Sequence, residues 1–196
     1  MMYASTTCWV RLLVLSLVMR EITSRVEFTN IKCSPVDKNF AEFEYCTLKS
    51  INRTYKYISE KIKLYKIPLT KMKVNFGLYK RFSGYKPFLY NQTIDGCYFL
   101  NHQKSNPVAK FFFDIIKGNT NVNHSCPYNH DIIADKLSTE VVNHHLTKVL
   151  PYPDGDYMLE SHWVLNDKLS ALISLLVSFV IINQIKSPGQ LIKLSI

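Results

Sequence analysis

Four cysteines downstream of a leader-like N-terminus, Cys33, Cys46, Cys97 and Cys126, limit what this chain can fold into more than any other feature. The leader has Arg11, the apolar run Leu12–Met19 and a polar stretch from Arg20 to Arg25. That is the pattern of an export signal, expected over residues 1–24, which would carry Cys8 away with it. The apolar run is too short to span a bilayer. In an oxidising compartment the four remaining cysteines mean two disulfides in one of three connectivities, and nearness in sequence favours Cys33–Cys46 and Cys97–Cys126. A Cys97–Cys126 bridge would stabilise by roughly 3–4 kcal/mol in the chain-entropy model. No pair has the C-x-x-C spacing of a zinc or redox centre, so neither a metal nor any other cofactor is expected.

Three acceptor sequons, at Asn52, Asn91 and Asn123, point to the same compartment and to a secreted, extracellular glycoprotein. The formal charge of +9 comes from basic residues that are scattered (Lys56, Lys61, Lys66, Lys73, Lys80) rather than set in a block. Scattered charge reads as a solvated surface, with attraction to anionic lipid or glycan as the rival and no nucleic-acid partner expected.

Between the cysteines the chain alternates. Met72, Val74, Phe76 and Leu78 point one way while Lys71, Lys73 and Asn75 point the other, the period of a half-buried strand. Further strands are expected at Val26–Cys33, at Phe40–Leu48, at Thr93–Leu100 (with Thr93, Asp95, Cys97 and Phe99 on one face) and around Tyr157–Trp163. Cys33 and Cys46 would then lie on adjacent strands of a hairpin. In residues 51–58 the reading places Ile51, Tyr55 and Tyr57 inward, opposite Asn52. One α-helix is expected, at about 107–117. Asn106-Pro107 supplies a cap and a first-turn proline, Val108, Phe111, Phe112, Ile115 and Ile116 make an apolar stripe, and Gly118 stops it. The fold class is therefore mainly β.

The apolar run 169–182 admits two readings. At period two Ala171, Ile173, Leu175, Val177, Phe179 and Ile181 form one apolar face of a final core strand, which is favoured. As a helix it would line up Ser170, Ser174 and Ser178, and membrane contact through 169–185 would be the alternative. Fourteen residues fall short of a spanning helix. Residues 183–196 read as a loose basic tail, expected to be disordered.

Enzymatic chemistry finds no foothold: there is no Gly-x-Ser-x-Gly elbow, no His-Glu-x-x-His and no Gly-rich phosphate loop, so no catalytic residue is assigned. His144-His145 are neighbours whose side chains point apart, which suits surface histidines better than metal ligands. Asp95 is expected to make a structural hydrogen bond to nearby backbone rather than to act as an acid or base. The apolar faces carry the remaining possibility. Val74, Phe76, Leu78, Phe99, Phe111, Phe112, Ile115 and Trp163 either fill a closed core or line a pocket. Burying some 300 Å² of ligand hydrocarbon would contribute about 7 kcal/mol before entropy costs.

Five phrases come in a characteristic order: KRFSGYKPFL from Lys80, TIDGC ending at Cys97, Asn106-Pro107 leading into the helix, NHSCPY ending at Tyr128, and PDGDY ending at Tyr157. In these the chain resembles a large insect family of secreted proteins that includes the CheB chemosensory proteins and is distantly similar to the ML lipid-recognition proteins and the ganglioside activator. The likeness covers about Val26 to Trp163. It implies an immunoglobulin-like, ML-type β-sandwich over 25–182 with an apolar cavity between its sheets. It also implies a non-enzymatic carrier or presenter of a lipid or pheromone-like cue, with a chemosensory receptor as a candidate partner. The alternative is an extracellular protein-protein or glycan-binding module whose core is closed.

Overall fold

A computed structural model describes residues 21–35, 37–52, 55–146 and 153–184. Eight antiparallel strands make two sheets. The larger has the order β1 (Glu21–Pro35), β8 (Lys168–Gln184), β7 (Gly155–Leu165), β4 (Met72–Arg81), β5 (Tyr85–Asp95). The smaller has the order β2 (Ala41–Ser50), β3 (Lys56–Leu64), β6 (Ile132–Ser138). The inner faces of both sheets meet in shared hydrophobic clusters: Val26, Phe28, Leu78, Tyr157 and Val177 of the larger pack with Ile58 and Leu137 of the smaller.

Period two decides the strands. In β4, Met72, Phe76 and Leu78 are buried while Lys73 is exposed. The run 169–182 belongs to β8, an interior strand between β1 and β7, and Ala171, Ile173, Val177 and Phe179 are its buried face, as the alternating reading had it. On its other face the Ser178 hydroxyl donates to Asp156 Oδ1 at 2.6 Å. Among the described residues no helix is long and apolar enough to cross a membrane. Of the expected export signal only Glu21–Ser24 are described, as the first residues of β1. Of the expected tail, Asn183 and Gln184 close β8 and the rest lies outside the described residues.

Three corrections concern local structure. First, the single helix becomes three: α1 (Gly96–Asn101), α2 (Pro107–Ile116) and α3 (Thr139–Leu146). The alternation through Thr93–Leu100 breaks after Asp95, whose Oδ1 accepts the Tyr98 N–H at 3.0 Å and so starts α1 as its N-cap. That is the structural hydrogen bond expected of Asp95. α3 buries Thr139, Val142 and Leu146, spaced three and four apart, a helical stripe in a stretch that looked featureless.

Second, Cys33 and Cys46 are bonded, but β1 and β2 belong to different sheets, so the bridge staples sheet to sheet instead of closing a hairpin. The second bridge, Cys97–Cys126, ties α1 to the loop that follows α2. Third, the inward row at the start of β3 is the opposite one: Ile51 is 65% exposed, and Ile58 is in the core. The Tyr55 N–H donates to Asn52 Oδ1 at 2.7 Å just before β3 begins at Lys56, and from there Ile58 takes the inward position.

Candidate apolar site

α2 stands against the larger sheet. Asn106 Oδ1 accepts the Ala109 N–H at 3.0 Å, and Pro107 occupies the first turn, where its missing N–H costs nothing. Edge-to-face ring pairs then hold the helix: Phe76 with Phe112 at 5.5 Å, Tyr90 with Phe112 at 5.9 Å and Phe99 with Phe113 at 5.8 Å.

Between this helix and the two sheets lies an apolar cavity of about 270 Å³, partly open to solvent. Its wall draws on all three hydrophobic clusters of the core. β1, β4, β7 and β8 supply one side, β3 and β6 the other, and α2 with α3 closes between them. Such a volume lies just below the roughly 300–1,000 Å³ usual for ligand pockets.

Seven of the eight side chains expected to face such a space do so: Val74, Phe76, Leu78, Phe99, Phe112, Ile115 and Trp163. Phe111 does not. The face that α2 turns inward is Ala109, Phe112, Phe113, Ile115 and Ile116, with Ala109 and Phe113 in place of the expected Val108 and Phe111. Three successive phenylalanines leave the facing of a helix undetermined by hydrophobicity alone. Ala109, 3% exposed, settles it, because the smallest side chain marks where the helix comes closest to its neighbours. Phe111 packs at the rim, its ring 5.4 Å from that of Phe112.

Only three polar side chains belong to the wall, Glu60, Thr120 and Ser161. Two are committed. The Thr120 hydroxyl donates to the Ile133 carbonyl at 2.8 Å, and Ser161 Oγ accepts the Trp163 indole N–H at 3.0 Å. Glu60 is different. It occupies the inward row of β3 between Ile58 and Ile62, a position where the alternation calls for an apolar residue. Protein surrounds its carboxyl, and burial pushes its pKa up from 4.5 to about 7. The surface it retains faces the cavity, which reconciles its partial accessibility with so large a desolvation. Sequence reading missed this residue. The signal was there in Ile58, Glu60, Ile62, Leu64, a charged residue on the apolar parity of a strand.

The outer surface fits the other expectations without deciding them. The sequon residues Asn52, Asn91 and Asn123 are exposed. Several scattered lysines are matched to acids, Lys61 to Glu44 at 2.7 Å and Lys71 to Asp167 at 2.7 Å among them. Among the described residues no three His, Cys, Asp or Glu side chains converge as metal ligands.

Two antiparallel sheets, stapled by a disulfide and holding an apolar cavity, define the general class: a small β protein with a hydrophobic interior site. Residues 74–159 match the model of a family described as proteins of unknown function, DUF1091. That segment runs from β4 into β7 and contains α1, α2, α3 and the second disulfide. No curated protein matches the chain.

Proposed function

We propose that this chain is a secreted, non-enzymatic carrier or presenter of a hydrophobic small molecule, a lipid or pheromone-like cue, held between the sheets of an immunoglobulin-like, ML-type β-sandwich. The observation that carries the reading is the 270 Å³ apolar cavity, walled by both sheets and three helices. Ordinary sandwiches fill the roughly 10 Å between their sheets with interdigitated side chains. Here a helix is lodged at the margin and side chains of both layers surround an open space. Export fits the two disulfides and the three exposed sequon asparagines. A wall with almost no polar groups suits burial of an aliphatic chain.

Native mass spectrometry of the full chain, collected from insect-cell medium, tests this directly. The carrier reading expects a hydrophobic adduct that gentle organic extraction removes. Bare glycoprotein, together with no displacement of a fluorescent naphthylamine probe by fatty ligands, would overturn it in favour of a closed interaction module.

A further inference from the structure

The geometry points to Glu60 as the polar recognition point of the cavity: its carboxyl hydrogen-bonds an uncharged carbonyl oxygen, that of a ketone or ester, on an otherwise aliphatic ligand. This deepens the carrier reading and rests on it.

Among the described residues Glu60 is the only titratable one in the cavity wall. Among the described residues its carboxyl has no hydrogen-bond donor. The one contact near hydrogen-bond range is Cys33 Sγ at 4.0 Å from Oε2, and that sulfur is in a disulfide and carries no proton. The strands beside it offer nothing more: Cys46, in the same disulfide, stands opposite on β2 and Ala134 opposite on β6. The neighbouring charges are engaged on the outer face. Lys61 pairs with Glu44 and Asp131, and Asp135 accepts from Ser59. A buried polar group without a partner is rare in native proteins and calls for an explanation. Here the explanation is a partner brought by the ligand.

The chemistry of that partner follows from the surroundings. An ionised carboxylate enclosed by hydrocarbon is costly, and pairing it with a buried ammonium seldom repays the desolvation of both. A neutral carboxylic acid, which burial favours at this position, has one O–H to donate. A carbonyl oxygen is the acceptor that matches it, and an alkane leaves it unmatched. Ala134 opposite keeps room for such a group at the carboxyl.

The test compares 2-decanone with decane, by displacement of a fluorescent naphthylamine probe from the full chain, in wild type, Glu60→Leu and Glu60→Gln. At pH 6 the wild type should favour the ketone over the alkane about tenfold more than Glu60→Leu does. Glu60→Gln, whose amide still donates, should keep most of that preference. Raising the pH from 6 to 8.5 should erase the preference in wild type and leave it unchanged in Glu60→Gln, because only the acid form donates. Equal ketone-to-alkane ratios in all three proteins at both pH values would overturn the role of Glu60 while leaving the carrier reading standing. Stronger selection of decylamine than of the ketone, lost in Glu60→Leu, would overturn the uncharged class. Failure of every probe to bind any of the three would instead overturn the carrier reading itself.

Discussion

Replacing Glu60 by leucine should flatten the pH dependence of folding stability between about pH 4.5 and 7. In the folded chain Glu60 keeps its proton up to about pH 7, whereas an unfolded glutamate releases it near 4.5. Within that window the unfolded state binds fewer protons than the native state, so stability falls as pH rises and levels off above the folded value. At 1.36 kcal/mol for each pH unit between the two, the loss amounts to about 3 kcal/mol. For a chain of this size that corresponds to roughly 10 °C in melting temperature. Asp114, hydrogen-bonded by Lys110 and Lys117, and Asp167, hydrogen-bonded by Lys71, are both held below the ordinary 3.8. Their contribution has the opposite sign and falls below the window. The assay is urea unfolding without reductant, at half-unit steps from pH 4.5 to 8, on wild type and Glu60→Leu. The stability of the variant relative to wild type should rise across the window by about 3 kcal/mol and then stay constant. A difference that does not change with pH would show that the carboxyl is solvated in the folded chain, and the reading of Glu60 as an enclosed acid would fail.

Two further perturbations probe the frame and the space. Cys33→Ser with Cys46→Ser opens a link across 13 residues and should lower stability by about 3 kcal/mol, read by the same unfolding curves. Ala134→Leu adds apolar bulk on the cavity wall beside Glu60; it should hold or raise the melting temperature while weakening probe binding at least tenfold. In a closed core the same substitution would cost about 1–3 kcal/mol, and that loss would deny the cavity.

Much of the β framework was legible because each strand is half-buried and obeys period two, as at Met72–Leu78 and Ala171–Phe179. Four of the expected wall residues, Val74, Phe76, Leu78 and Trp163, followed from the same rule, since strand parity fixes which side chains face inward, whereas Phe99, Phe112 and Ile115 reach the wall from helices. What escaped was set by tertiary context. Nothing local says that β1 and β2 part into different sheets, so the Cys33–Cys46 bond was legible and its structural meaning was not. α1 hid because Asp95 continues the alternation of β5 even as its side chain caps a helix. The facing of α2 could not be read from Phe111, Phe112 and Phe113, which are equally hydrophobic. Ala109, whose information is its small size, carried it.

The cavity and the acid within it belong to one balance. Apolar space left among packed side chains forfeits their contacts and so weighs against the fold. Glu60 adds a second burden that grows with pH, because its ionised form has no partner. Substituting Glu60 by leucine would relieve the second but leave the space, and an ordinary core would have such a residue there. A hydrocarbon with one carbonyl relieves both: its chain occupies the space, and its oxygen accepts from the acid and holds it protonated. Stabilisation by such a ligand should therefore exceed what an alkane of equal length gives, and the excess should be largest in the neutral acid form, below about pH 7.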